Sequence, residues 1–142
     1  MKQIFLRFLF PVMSSLPYQE NTKTMVRKIL ESNAKFKHIV VAQAIEESAW
    51  FTSRRAKECK NIFGIKISSH PLQSGRSNRY GCYKSVDDCI KHFTIIQHQA
   101  IKHRHIRTEA DYYRYLRKVY ATNPKYVKHV KQIKTKLWKF QK

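Results

Sequence analysis

The sequence predicts an α+β domain that is mainly α-helical, with one small β-hairpin inserted between its second and third major helices. Three observations predict it. Residues Ile39-Val40-Val41-Ala42-Gln43-Ala44-Ile45 are apolar nearly all round and continue into Glu46-Glu47. β-Branching alone would also allow a strand there, but the Ala-Gln-Ala-Ile-Glu-Glu continuation favours a buried central helix. Several other segments repeat apolar residues at helical spacing. The chain has only 3 Gly and 4 Pro, and all three glycines fall between Gly64 and Gly81, so turn-rich structure is confined to one stretch.

The elements follow in order. Residues 3–13 form an apolar run, but Arg7 interrupts it, Pro11 follows and no small-residue cleavage site appears. They read as an amphipathic first helix ending near Pro11 or as a poor signal-like segment. Residues 14–22 carry turn formers and read as a linker, which sets 1–22 apart from a domain spanning 23–142. A helix is expected from about Lys23 to Ser32, closed by Asn33, and the central helix from Phe36 to Phe51. Residues 61–83, punctuated by Gly64, Pro71, Gly75 and Gly81, predict a loop and an irregular hairpin. Ser85-Val86-Asp87-Asp88 is a capping-type helix start, with Cys89, Phe93, Ile96 and Ala100 on one face. A further helix covers about Thr108 to Tyr120, aligning Tyr113, Leu116 and Tyr120. The last begins near Asn123-Pro124, where Asn caps and Pro takes the first position, and buries Tyr126, Val130, Ile133 and Leu137.

Charge bounds the partners. Twenty-nine Lys and Arg against nine Asp and Glu give a formal net charge of +20, a field that attracts polyanions. Nucleic acid, an anionic membrane surface and acidic wall polymers all qualify, and on charge alone nucleic acid leads. No stretch approaches the ~20 apolar residues of a membrane span. Cys59, Cys82 and Cys89 lack metal-ligand spacing, so no metal or cofactor is expected. Buried or idle thiols are their expected state. Export would permit one disulfide, with Cys59–Cys82 as good a pair as any.

Glu47 is the candidate for chemistry. It ends the most apolar helix, on the face of Val40 and Ala44. Burial there would raise its pKa and keep it protonated near neutrality, which is what a proton donor in glycosidic cleavage requires. A surface acid paired with Arg54 or Arg55 is the competing reading, and position alone does not decide.

The neighbouring residues do. Ala42-Gln43-Ala44-Ile45-Glu46-Glu47-Ser48-Ala49-Trp50, Asn61-Ile62-Phe63-Gly64-Ile65-Lys66, Tyr83-Lys84-Ser85-Val86-Asp87-Asp88 and Tyr120-Ala121-Thr122-Asn123-Pro124-Lys125-Tyr126 occur in that order. The set resembles the bacterial glucosaminidase family, glycoside hydrolase family seventy-three, over about residues 25–135. The resemblance implies a lysozyme-like fold and hydrolysis of the β-1,4 bond between N-acetylglucosamine and N-acetylmuramic acid. It implies Glu47 as general acid and Tyr120 as a cleft residue. It also implies a monomeric enzyme of the cell wall, periplasm or exterior, working on peptidoglycan glycan strands, with anionic wall polymers as further partners and no specific nucleic acid. Apolar sugar faces pack on rings, so Trp50, Phe63, Tyr80, Tyr83 and Tyr120 are the substrate-binding candidates, with Asn61 beside them. Trp50 and Phe63 read equally well as core.

Two departures stand out. Asn123 replaces the family's aspartate. No acid occurs between Glu58 and Asp87, where many relatives carry a second carboxylate. A base for water activation would have to be Glu46, Glu58 or Asp87; otherwise the substrate's own acetamido group attacks the anomeric carbon. Two alternatives remain at this point: a basic nucleic-acid-binding module, and a wall-binding relative without activity.

Overall fold

A computed structural model describes residues 19–138. Six helices and one hairpin follow in the order α1 (Gln19–Glu31), α2 (Lys37–Ser48), α3 (Arg54–Cys59), β1 (Gln73–Ser77), β2 (Tyr80–Tyr83), α4 (Val86–Arg104), α5 (Glu109–Val119) and α6 (Tyr126–Trp138). The domain is mainly helical with a two-stranded antiparallel sheet, as the sequence predicts. The expectations for residues 1–18 lie outside the described residues.

Helix α2 is the centre. Every residue from Ile39 to Ile45 is buried, so neighbours must cover it on all sides. Val40, Val41, Ala44 and Ile45 join the larger apolar cluster with α1, α4 and the hairpin root. Ile39 and Ala42 face a second cluster built by α5 and α6 around Tyr112, Leu116 and Val130. Burying each of Ile39, Val40, Val41 and Ile45 stabilises the fold by roughly 1.5–3 kcal/mol relative to exposure. A buried polar chain ties the shell together. The Tyr112 hydroxyl donates to Gln43 Oε1 at 2.7 Å, Gln97 Nε2 donates to that hydroxyl at 3.1 Å, and Gln97 also bonds both backbone groups of Lys35 at 2.8 Å.

Several boundaries differ from expectation, each for a physical reason. Helix α1 starts at Gln19, so residues 19–22 are helix and not linker; Thr22 is fully buried there. Helix α2 stops at Ser48 and not at Phe51, because Ala49, Trp50 and Phe51 all take left-handed backbone, with φ of 49°, 58° and 62°. That conformation costs a residue with a Cβ roughly 1–2 kcal/mol. The buried Ser48 holds it in place. Its hydroxyl donates to Ala44 O and accepts from Phe51 N at 2.8 Å, while its carbonyl accepts from Thr52 N and Ser53 N, both at 3.0 Å. Ser53 then caps α3, a short helix that the sequence reading passed over, by accepting from Ala56 N. In α4 the cap is Ser85, as expected. Ile96, however, is 36% exposed, and Gln97 takes the inward position. Helix α5 carries a full capping box between Thr108 and Asp111. Helix α6 begins at Tyr126 because Asn123 and Pro124 are spent on a turn, Asn123 Oδ1 accepting from Lys125 N.

The hairpin is fixed at three points. Asn78, at φ 53°, closes the tight turn between Ser77 and Tyr80. Residues Ile65 to Ile67 lie along β2, Gly81 N bonding Ile65 O and Ile67 N bonding Arg79 O. A disulfide joins Cys59 to Cys82. The last point corrects the expectation of idle thiols for two of the three cysteines. Cys89 alone stays free and buried, and burial pushes its thiol up to about 12. The bridge closes a loop 23 residues apart in sequence, which in the chain-entropy picture stabilises the fold by about 3 kcal/mol. Replacing Cys59 by Ser should lower unfolding stability in denaturant by about that amount, and reductant should do the same to the native protein while leaving the variant unchanged.

Candidate functional site

Glu47 is the penultimate residue of α2, where the all-apolar stretch gives way to polar residues. The two carboxylates there diverge because successive helix residues point about 100° apart. Glu46 turns to α6, where its Oε1 meets His129 Nδ1 at 2.9 Å. Glu47 turns to the loop before the hairpin and is half buried. Gly64, at φ 64°, packs directly on it: a Cβ at that position would lie 2.6 Å from Glu47 Oε2. Only glycine combines the left-handed backbone with room for the carboxyl group.

Burial raises the Glu47 pKa above the ordinary carboxylate value. The hydroxyl of Tyr120, the charge of Arg55 and the hydroxyl of Tyr126 oppose the rise, while the Glu46 charge adds to it. Burial dominates, so the neutral acid is favoured more than in water. Tyr120 is the C-cap of α5, and its ring stacks on Tyr126 with centroids 3.6 Å apart and planes 8° from parallel. Tyr126 is 2% exposed, with its hydroxyl buried beside Tyr120 and Glu47. Its titration is driven far up by burial first, then by the charges of Tyr120 and Glu47. Carboxyl and phenols thus form one compact polar group on an apolar floor.

The remaining sequence candidates divide. Tyr80 opens β2, half buried, beside the same loop. The Arg55 guanidinium lies 3.3 Å from its ring centroid and the Lys66 ammonium 4.1 Å. Trp50 is half buried in the left-handed turn after Glu47, with Lys136 Nζ 5.8 Å from its ring. Asn61, Phe63 and Tyr83 are core, which corrects the expectation that they line a cleft. Asn61 is 1% exposed, and its amide is used up internally: Nδ2 donates to Ile65 O and Gly81 O at 2.8 Å, and Oδ1 accepts from Phe63 N and Ile65 N. It shapes the loop that carries Gly64. Phe63 is 3% exposed and stacks on Phe93 at 3.9 Å. The Tyr83 hydroxyl meets His92 Nδ1 at 2.7 Å beneath the hairpin, and burial pushes it up to about 12.

Two residues of the candidate site carry weaker marks in the sequence. Tyr126 closes the motif that begins at Tyr120 but also reads as one more apolar position of a helix stripe. Arg55 was weighed only as an ion-pair partner; Ser53 before Arg54-Arg55-Ala56 was the signal for a capped helix that would aim it.

The other acids considered as a base each have a basic side chain as partner. Glu46 is on His129, Glu58 on Arg54 Nε at 2.8 Å, and Asp87 on Lys28 Nζ at 2.9 Å. Among the described residues no group of three or more His, Cys, Asp or Glu is gathered as a metal site would need, and no helix is long and apolar enough to cross a membrane.

No curated protein and no solved structure gives a significant match to the chain. A family model does: Glucosaminidase, described as mannosyl-glycoprotein endo-beta-N-acetylglucosaminidase, matches residues 23–139, from helix α1 through the last described turn of α6. With the match covering most of its length, the chain belongs to the Glucosaminidase family and is a glycoside hydrolase acting on peptidoglycan.

Proposed function

We propose that the enzyme cleaves the β-1,4 bond between N-acetylglucosamine and N-acetylmuramic acid, with Glu47 as its general acid. The observation that carries this reading is the Glu47 carboxyl itself, half buried against Gly64 and favoured as a neutral acid by burial. A protonated carboxyl donates to the glycosidic oxygen as the bond to the leaving sugar breaks. Tyr120 lines the cleft beside it and tempers its pKa; Trp50 and Tyr80 offer rings to the sugar faces.

The second step is assigned to the substrate. Each of the three candidate bases is engaged with a basic side chain, and the hairpin brings no acid of its own. The acetamido oxygen of the N-acetylglucosamine unit then attacks the anomeric carbon as the leaving group takes the proton from Glu47. Water opens the resulting ring, giving up a proton to the Glu47 carboxylate. This route needs one protein acid and retains configuration at the anomeric carbon.

The net charge of +20 gives the enzyme a means of staying on the wall. A groove between the end of α5 and the outer face of α6 is lined by Arg117, Lys128, Lys131 and Lys136 with no acid among its lining residues. Anionic wall polymer is the proposed ligand, through contacts that salt screens. Retention on purified walls should therefore fall steeply as salt is raised; binding indifferent to salt would remove this role.

Glu47→Gln should abolish release of new reducing N-acetylglucosamine ends from peptidoglycan while the protein stays folded; lysis surviving in that variant refutes the assignment. The same substitution tests the burial argument. A carboxyl whose folded pKa is raised binds its proton more tightly in the native state, so it lowers stability as pH climbs from the ordinary Glu range through the folded value. The variant should gain stability over wild type at neutral pH, and the gap should close in acid. Activity should decline on the alkaline side as Glu47 ionises. Tyr120→Phe removes a group that lowers the Glu47 pKa, so the alkaline limb should move to higher pH; movement to lower pH would contradict the proposed contact.

A further inference from the structure

The wall of the site where many relatives carry a second acid is cationic in this chain. Arg55 and Lys66 share the Tyr80 ring, at 3.3 Å and 4.1 Å from its centroid. Neither has an ion pair among the described residues: Glu58, the acid on their side, is taken by Arg54. Arg55 also approaches Glu47. Arg55 Nη1 lies 3.6 Å, and Glu47 Oε2 2.6 Å, from the point a Cβ on Gly64 would occupy. Lys66 pairs with Tyr80 across the bridge that lays residues 65–67 along β2. The disulfide from Cys59 to Cys82 fixes α3, which carries Arg55, to the strand that carries Tyr80. Two cations on one aromatic support, neither in an ion pair among the described residues, offer positive charge to an anion. The pull of Lys66, Arg55 and Arg79 on the Tyr80 hydroxyl, which lowers its pKa, is consistent with how positive this corner is.

We propose that Arg55 and Lys66, supported by Tyr80, bind the carboxylate of a carboxyl-bearing amino sugar adjacent to the cleaved bond and so set the register of the glycan on Glu47. This rests on the reading of Glu47 as the acid. A planar guanidinium matches a carboxylate with two parallel hydrogen bonds, and an ammonium adds a point charge. The glycan strand alternates a neutral N-acetylated sugar with one that bears a lactyl group, which is a free carboxylate wherever the strand carries no peptide stem. A bare apolar cleft would accept either of its two β-1,4 linkages. Positive charge gathered on Tyr80 separates them in a stem-free strand, because only one register brings a carboxylate to Arg55 and Lys66. The other register puts a neutral sugar on two unpaired charges. Arg55 and Lys66 are therefore specificity-determining residues, and the hairpin's lack of acids has a use: an acid there would pair with these cations.

The test compares two glycans in the wild-type protein and in the Arg55→Gln/Lys66→Gln double variant. One glycan is a stem-free peptidoglycan strand, whose lactyl carboxylates are free; the other is the same strand with those carboxyls converted to amides. The readout is the ratio of the two kcat/KM values. Any change that the lost Arg55 charge makes in the Glu47 pKa multiplies both rates and drops out of the ratio. Wild type should prefer the free carboxylate by roughly tenfold or more, the range expected of hydrogen bonds to charged groups, and the variant should lose that preference. An indifferent wild type, or a variant that keeps the preference, overturns the proposal. A binding arm separates its failure from failure of the Glu47 reading. In Glu47→Gln protein, which turns nothing over, an N-acetylglucosamine–N-acetylmuramic acid disaccharide is titrated by NMR against chitobiose, with and without the two substitutions. Preference for the acidic disaccharide that vanishes with Arg55 and Lys66 supports the subsite even where no cleavage is seen. Equal binding of the two sugars overturns it.

Discussion

The structure depends on burying α2 on every side. A helix with no polar face from Ile39 to Ile45 is stable only when neighbours cover its whole girth, and α1, α4, α5, α6 and the hairpin root supply the cover. The chemistry follows from how this helix ends. Its first charged residues appear where the cover gives out, and there two adjacent carboxylates divide between opposite neighbours. Glu46 finds His129, and Glu47 finds a glycine, two phenols and an arginine. Desolvation by the packed core is the largest influence on the Glu47 carboxyl. The same packing that stabilises the domain therefore tunes the candidate acid.

The abrupt turn after Ser48 is the second constraint. Three consecutive left-handed residues are costly for side chains with a Cβ, and they persist because Ser48 spends both its hydroxyl and its carbonyl on holding them. The turn reverses the chain within a few residues, which lets α3 return toward the end of α2 and present Arg55. Asn61 does the corresponding work on the other side: its buried amide knits the loop before Ile65 to Gly81 of β2 and holds Gly64 against Glu47. Strain and a saturated buried amide beside a reactive group are what a site held in one geometry requires. The disulfide and the strand pairing tie the hairpin to α3, which carries Arg55.

The sequence by itself determined the helical class, the central helix, the hairpin's location and the cap at Ser85, and its ordered motifs singled out Glu47 and Tyr120 as candidates. These are local or periodic properties: apolar spacing, cap chemistry and turn residues are written in contiguous positions. Tertiary structure decided which aromatic residues meet the surface. Trp50, Phe63, Tyr80 and Tyr83 are alike as sequence symbols, yet Phe63 stacks on Phe93 and Tyr83 on the His92 side, inside the core, while Tyr80 stays half open under two cations. The same holds for Asn61, whose amide could have faced a sugar but is used up by four backbone groups, and for Ile96, displaced outward by the hydrogen-bonding needs of Gln97. Burial, disulfide pairing and the approach of Arg55 to Glu47 join residues far apart in the chain, so they depend on how complete elements pack, a quantity no short window of sequence contains.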